Sequence, residues 1–323
     1  MCRLRIVFFG TPEFAVPTLR EIRAAGHDVV AVVTQPDRPR GRGQRPSPEA
    51  VKVFAEEHGL RVLQPDRLRD EAFLAAFRAL DADIGVVAAY GKILPEALLA
   101  IPPRGLLNVH ASLLPLYRGA APVHRAVMAG DTQTGVSIMR IVRELDAGPV
   151  LAARSTPIGS TETSESVEAR LADAGANLLV EVLADVESGR ARETPQDDRL
   201  ATYAPRLSKG EGLIDWTAPA EAVHNKVRGL HPWPHAFTYL DGSRFLLLET
   251  AVGTPDDTAR EQSGTVARPG EIVEVGRDAL RVAAGEGTRL LVLRLQPEGR
   301  RAMGIRDFLA GHALAPGMAF GPG

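Results

Sequence analysis

With 323 residues, 45% of them hydrophobic and 24% charged, the chain has material for two globular domains and a sizeable core. A net charge of −2 argues neither for nor against a nucleic-acid partner, and the single cysteine, Cys2, excludes an internal disulfide framework and fits a reducing cytoplasm. No stretch approaches the roughly 20 apolar residues that cross a bilayer, and the apolar run at 4–9 is too short for a signal segment.

That first run closes on Gly10 and reads as a buried parallel strand. Thr11-Pro12-Glu13 then opens a helix reaching about Ala25, with Thr11 as N-cap, Pro12 at the first helical position and Gly26 as the stop. Further strand-like runs follow at 29–34, 83–89, 105–110, 135–142 and 150–153. Helical patterns lie at 47–58, 68–80, 95–100 and 120–129, and a long helix is expected over 161–188. Alternation of this kind predicts an α/β fold with a parallel sheet, whose sites lie outside the carboxyl ends of the strands. Residues 190–205 are polar and Pro-interrupted and read as a linker between a domain at 1–189 and a second at 206–323. The second domain shows one helix (218–229), short β-rich runs at 236–240, 243–250, 264–266, 271–275, 279–283 and 289–295, and a short helix at 304–311. Short strands at close spacing predict a small barrel.

Asn108 and His110 stand two apart at the end of an apolar strand, so their side chains share a face. Asp146, in Leu145-Asp146-Ala147-Gly148-Pro149, is the natural third member. An amide donor, a base titrating near neutrality and a carboxylate are what acyl transfer to an amine needs. The same residues also read as a capped strand end and a plain turn. Arg38, Arg40, Arg42 and Arg45 lie in a Gly/Pro-rich loop after the second strand. They read either as a grip on nucleic-acid phosphates or as a solvated loop, since 34 of the 38 basic residues of the chain are Arg. Gly10-Thr11-Pro12-Glu13 stands where a dinucleotide fold carries G-x-G-x-x-G, and its carboxylate would repel a pyrophosphate, so a nicotinamide cofactor is disfavoured. His231-Pro232-Trp233-Pro234-His235 fits no common zinc spacing and reads as a rigid turn, and no metal is expected. Tyr203, Trp216 and Trp233 read as core anchors.

These stretches resemble the methionyl-tRNA formyltransferase family, within the folate-dependent formyltransferases, over essentially the whole chain. The resemblance rests on Phe8-Phe9-Gly10-Thr11-Pro12-Glu13-Phe14-Ala15, Thr34-Gln35-Pro36-Asp37-Arg38-Pro39, the segment from Asn108 to Pro115 with Tyr117-Arg118-Gly119-Ala120-Ala121-Pro122, and the Asp146 loop. In the C-terminal part it rests on Tyr203 to Lys209, Ile214-Asp215-Trp216, Pro232-Trp233-Pro234 and Leu295 to Gly299. It implies a Rossmann-like formyltransferase domain followed by an OB-like β-barrel domain. It further implies 10-formyltetrahydrofolate as formyl donor and the methionyl α-amino group of initiator tRNA as acceptor. Asn108, His110 and Asp146 would be catalytic, Ser112, Leu113, Leu114 and Pro115 would border the folate, and the 38–46 loop would enter the acceptor stem through Arg42. A monomer without an obligate protein partner is implied as well.

Two features depart from the family pattern. Gln44-Arg45 stand where a Lys pair is usual, with Pro46-Ser47-Pro48 displaced by about two residues. Residues 206–323 carry 14 basic and 14 acidic side chains, where C-terminal domains of the family are often basic. The nearest rival reading is formylation of a small amine such as a nucleotide-linked amino sugar, which the basic loop opposes. A catalytically silent folate or RNA binder is a second rival, and a folate-releasing hydrolase a third.

Overall fold

The computed structural model describes residues 3–40, 45–253 and 267–321. The chain divides into two compact units. The first contains residues up to Pro122, Gln133–Pro157 and Glu168–Pro205; the second contains Val123–Thr132, Ile158–Val167 and the chain from Arg206. The 190–205 segment thus clusters with the first unit.

In chain order the first part carries β1 (Arg5–Gly10), α1 (Val16–Ala24), β2 (Asp28–Val33), the hairpin β3 (Arg38–Arg40) and β4 (Arg45–Ser47), α2 (Ala50–Glu57) and β5 (Val62–Leu63). It continues through α3 (Glu71–Arg78), β6 (Ile84–Ala88), α4 (Glu96–Leu99), β7 (Leu106–His110), β8 (Arg118–Gly119), α5 (Pro122–Ala129), β9 (Gln133–Arg140), β10 (Val150–Pro157), α6 (Ser164–Glu187) and β11 (Tyr203–Ala204). The main sheet has the order β10-β9-β7-β6-β1-β2-β5. Strands β7, β6, β1, β2 and β5 are parallel. Contrary to the parallel expectation, β9 runs antiparallel to β7 and β10 antiparallel to β9. The buried run Val136, Ile138, Met139 is apolar in either direction, so its hydropathy carried no sign of the reversal.

The central strands are buried on both faces. In β1, Val7 and Phe9 join Val33, Phe77, Tyr90 and Leu98 in one core layer. Phe8 and Ile6 are as fully buried as these. Each such side chain contributes about 1.5–3 kcal/mol of apolar burial. Thr11 does not cap α1, which starts only after a 3-10 turn at Glu13–Ala15. Its hydroxyl instead donates to the Tyr90 carbonyl at 3.1 Å, and Gln35 Nε2 donates to the same carbonyl at 2.8 Å. The loops at the carboxyl ends of β1, β2 and β6 are tied together in this way.

The second unit carries α7 (Ala220–Gly229), β12 (Ala236–Leu240), β13 (Ser243–Val252), β14 (Ile272–Val275), β15 (Leu280–Ala283), β16 (Arg289–Pro297), β17 (Met303–Gly304) and α8 (Ile305–Leu309). The expected strand at 264–266 lies outside the described residues. The sheet β12-β13-β16-β15-β14 is antiparallel, with β17 on β16. Its two edges are joined by the C-terminal segment: Gly321 bridges to Tyr239 of β12, and Ala319 to Glu271 beside β14. The sheet therefore closes into a barrel, which removes its free edges. Inside, Trp216 stacks on Phe320 at 5.7 Å, and Phe245 meets Phe308 and Phe320 edge-on. Trp216 is the core anchor expected of it, but Tyr203 is 65% exposed and Trp233 49% exposed. Both are aromatic surface residues and not core anchors.

Candidate active site

β7 delivers Asn108 and His110 to its carboxyl end, paired with Met139 and Ser137 of β9. His110 is 5% exposed, and its Nε2 lies 3.0 Å from the Tyr117 carbonyl oxygen. A carbonyl only accepts, so Nε2 carries the ring proton of the neutral imidazole and Nδ1 holds the free lone pair. That lone pair faces Asp146 Oδ2 at 3.8 Å, beyond hydrogen-bond length. The tautomer of His110 is accordingly set by a backbone carbonyl, and not by Asp146 as a Ser-His-Asp analogy suggests. Asn108 is half-buried, and among the described residues its amide has no hydrogen-bond partner. It is therefore an uncommitted donor next to a committed base.

The position of Asp146 depends on the reversal of β9. That strand ends at Arg140 opposite Leu107, below His110, so the loop after it must turn back to reach the imidazole. Asp146 itself sits at φ 49, a left-handed conformation that Asp tolerates better than most residues. Gly148 packs against the Arg140 carbonyl so closely that no Cβ could fit. The returned carboxylate accepts the Gly119 N–H through Oδ2 at 2.8 Å. Gln196, from the 190–205 segment, locks the backbone of the loop: its Nε2 donates to the carbonyls of Asp146 (2.9 Å) and Gly148 (2.7 Å). Its Oε1 accepts from the buried Arg118 guanidinium at 3.1 and 2.9 Å, and Arg118 also reaches Asp198 at 2.7 Å.

The segment 117–119 that touches both His110 and Asp146 is itself held by β11. Tyr203 pairs with Arg118 and Ala204 with Gly119. Gly119 has φ 118, and an added Cβ would lie 2.8 Å from the Ala204 carbonyl oxygen, so the approach requires glycine. Tyr117 takes φ 59 and receives the Thr202 hydroxyl as acceptor for its N–H at 2.8 Å. Tyr117 and Gly119, the two residues that contact His110 and Asp146, are thus both at positive φ, which is strained at Tyr117 and free at Gly119.

Of the four residues expected along the folate, Ser112 is fully buried, and its hydroxyl donates to the Leu116 carbonyl at 2.6 Å. Its side chain shapes the loop that carries Leu113, Leu114 and Pro115. Ser137, which sequence reasoning missed, takes the Leu114 N–H at 3.1 Å and donates to the Ser112 carbonyl at 2.7 Å. Leu114 and Pro115 line a surface cavity of about 370 Å³ with Leu151, Thr194 and Gln196. Leu113 does not line that cavity.

The basic loop forms the β3–β4 hairpin, in which Arg38 pairs with Ser47 and Arg40 with Arg45. Arg42 lies outside the described residues. The hairpin base is anchored at Asp37, whose carboxylate takes Lys52 Nζ at 2.6 Å and Gln64 Nε2 at 2.9 Å. Those two donors, Lys52 first, hold the Asp37 carboxyl below the ordinary range. Nothing in the local sequence marked Lys52 or Gln64. Among the described residues, no group of three His, Cys, Asp or Glu side chains is placed to hold a metal ion. No helix there is long and apolar enough to cross a membrane.

A family model described as formyl transferase matches residues 4–183, and one described as formyl transferase, C-terminal domain, matches 206–313. The chain belongs to the formyl transferase family. Among its relatives, a protein of Citrifermentans bemidjiense named methionyl-tRNA formyltransferase is 47% identical over 323 residues, covering 99% of this chain and 98% of that one. The methionyl-tRNA formyltransferase of Moorella thermoacetica is 45% identical over 318 residues, covering 98% and 99%. Two solved structures share the fold. The sugar 3N-formyl transferase WlaRD matches with TM-score 0.67 and 14% identity, over 93% of this chain and all of that one. HypX from Aquifex aeolicus in complex with tetrahydrofolic acid matches with TM-score 0.64 and 16% identity, over 95% of this chain and 47% of that one. Asn108, His110 and Asp146 lie within the span of the first match, and Gln196 lies beyond it.

Proposed function

We propose that the chain transfers the formyl group of 10-formyltetrahydrofolate to the α-amino group of methionine on initiator Met-tRNA. The observation that carries the chemistry is the pairing of a free Asn108 amide with a His110 ring whose proton is fixed on Nε2. Full-length similarity to proteins named methionyl-tRNA formyltransferase carries the choice of acceptor. The acceptor is an α-amino group with a pKa near roughly 7.7–8.0, readily neutral at physiological pH. Its nitrogen attacks the formyl carbon and the carbonyl oxygen becomes an oxyanion. The Asn108 amide donates to that oxyanion, a role worth about 3–4 kcal/mol when well aimed. His110 Nδ1 takes the proton leaving the amine, and Asp146 Oδ2, 3.8 Å away, faces the resulting imidazolium. The carbon–nitrogen bond to N10 of the folate then breaks, and the folate nitrogen leaves with a proton that His110 can return.

Ser112, Leu113, Leu114 and Pro115 border the folate in this reading, and the β3–β4 hairpin with Arg38, Arg40, Arg42 and Arg45 grips the acceptor stem. Residues 1–189 act as the catalytic domain, 190–205 as a linker and 206–323 as the OB-like tRNA-binding domain. Gln196 makes the linker a part of the catalytic loop as well. The protein works as a monomer in the cytoplasm.

The test is formyl transfer from 10-formyltetrahydrofolate to charged initiator tRNA, run beside charged elongator Met-tRNA and free methionine. Transfer to the initiator alone is expected. Transfer to a nucleotide-linked amino sugar with none to tRNA would overturn the acceptor and leave the chemistry.

A further inference from the structure

Half of the large hydrophobic side chains that stay exposed among the described residues belong to the segments around the catalytic loops. Leu116 precedes Tyr117, Leu145 precedes Asp146, and Leu200 and Tyr203 belong to the segment that ends in β11. Scattered singly, such residues carry no message, but a group of them at a reacting centre marks a surface that something covers. Tyr203 is the largest of the four. Among the described residues its ring meets no other aromatic ring and its hydroxyl has no hydrogen-bond partner. Its backbone, by contrast, is pinned on both sides. The Thr202 carbonyl accepts the Arg118 N–H at 2.9 Å, and the Ala204 carbonyl accepts the Ala120 N–H at 2.9 Å. The segment it pairs with is the one whose Tyr117 carbonyl holds His110 and whose Gly119 N–H holds Asp146. A rigidly mounted, exposed ring is therefore carried one strand spacing, about 4.8 Å, from the backbone that fixes both catalytic side chains.

Two reactants compete for this ring. Resting on the proposed reading of the reaction, the donor brings its pteridine and aminobenzoyl rings, and the acceptor brings the 3′-terminal adenosine that carries the methionyl ester. In that reading the donor borders Leu114 and Pro115, and Tyr203 is not in the wall of the cavity that those residues line. The acceptor must approach the catalytic pair closely. Its amine reacts at His110, and only the ester, the ribose and the glycosidic bond separate that amine from the adenine. An unpaired 3′ end offers the faces of its bases, and such bases stack on exposed aromatic side chains while cations nearby hold the phosphates. Arg143, on the loop that leads to Asp146, supplies an exposed cation with no hydrogen-bond or carboxylate partner among the described residues. Tyr itself gives a large, stiff contact surface at low cost in conformational entropy. We propose that Tyr203 is the stacking platform for the terminal adenine of the charged tRNA, so that docking of the 3′ end covers the exposed ring and brings the ester to His110.

The experiment measures KM for charged initiator tRNA and for 10-formyltetrahydrofolate in the wild type and in Tyr203→Ala, Tyr203→Leu and Tyr203→Phe. Stacking of one base is worth about fivefold to a hundredfold in affinity. The tRNA KM is expected to rise by that factor in the Ala and Leu variants and to return to the wild-type value in Phe, which keeps the ring. The folate KM is expected to hold in all three. Equilibrium binding of uncharged initiator tRNA, intact and lacking its terminal adenosine, tests the contact itself. The wild type should prefer the intact tRNA and Tyr203→Ala should bind both alike, since removing either partner already removes the stack. Losses that add instead of overlapping would place the ring against another part of the tRNA and overturn the proposal. So would a folate KM that rises with the tRNA KM untouched, which would give the ring to the donor. An equal loss in Tyr203→Phe would give the contact to the hydroxyl and overturn stacking. Failure of the wild type to formylate Met-tRNA would sink the proposed acceptor and the platform with it, whereas formylation with a tRNA KM unchanged in Tyr203→Ala would sink the platform alone.

Discussion

Replacing Gln196 with Ala removes a side chain that lies outside the catalytic trio yet holds it. The variant loses two bonds to the Asp146 and Gly148 carbonyls and two from Arg118. Neutral side-chain bonds contribute about 1 kcal/mol each, and those to a charged group about 1.5–3. Arg118 keeps Asp198, and water reaches the half-buried Gln196 position, so the net loss is about 2–3 kcal/mol. In a unit of this size that lowers the thermal midpoint by roughly 5–10 °C. The catalytic effect is separate. Asp146 sits in left-handed backbone at the tip of a loop that must turn back from the end of β9, and freed of Gln196 it keeps one side-chain anchor, the Gly119 N–H. A misplacement near 1 Å costs on the order of 10² in rate. The expected result of steady-state kinetics well below the melting range is therefore a kcat reduced tenfold to a hundredfold, with KM for tRNA and folate nearly unchanged. A lower melting temperature with wild-type kcat would refute the claim that Gln196 positions Asp146, and would leave it a structural clasp.

Asn108→Ala should lower kcat by about 10²–10³ with little change in folate binding, measured by single turnover and dialysis, whereas a drop confined to KM would remove the oxyanion role. His110→Ala and Asp146→Asn should each lower turnover by roughly 10² or more with tRNA binding retained, and wild-type rates in either would sink the assigned roles. Tyr90 is 1% exposed, its hydroxyl has no partner among the described residues, and burial pushes the phenol up to about 12. Because the unfolded chain ionises near ~10, this stabilisation is intact below that pH and is lost as pH rises through the 10–12 window, by up to about 3 kcal/mol. Tyr90→Phe should therefore flatten the alkaline loss seen in denaturant midpoints and add about 1 kcal/mol at neutral pH, whereas an unchanged alkaline slope would contradict it. Arg42→Ala should raise KM for tRNA far more than for folate, and the wild-type tRNA affinity should fall steeply with salt; a flat salt response would contradict phosphate contacts.

The chain of residues by itself determined the longer strands and the helices, because each is a run whose period or apolarity is written locally, while the short strands of two or three residues were not legible. It determined that Asn108 and His110 share a face, since the alternation along a strand is geometric. It also marked residues 206–323 as a set of short strands, but offered Tyr203, Trp216 and Trp233 alike as core anchors, of which only Trp216 is buried. Other features depend on pairings that carry no local signal. The two-residue strands β8 and β11 are too short to show a period, yet they carry the carbonyl that fixes the His110 tautomer and the N–H that fixes Asp146. The reversal of β9 is invisible in an apolar run, and it is the reason that Asp146 must be brought back by a left-handed turn and a distant Gln196. Segment 190–205 reads as a linker by composition, because a polar side chain that clamps a loop looks the same in sequence as one that faces water. The closure of the barrel by residues 319–321 is equally non-local. Only the folded chain, which brings residues 50 and 80 apart into contact, decides between a polar residue that positions the chemistry and one that is solvated.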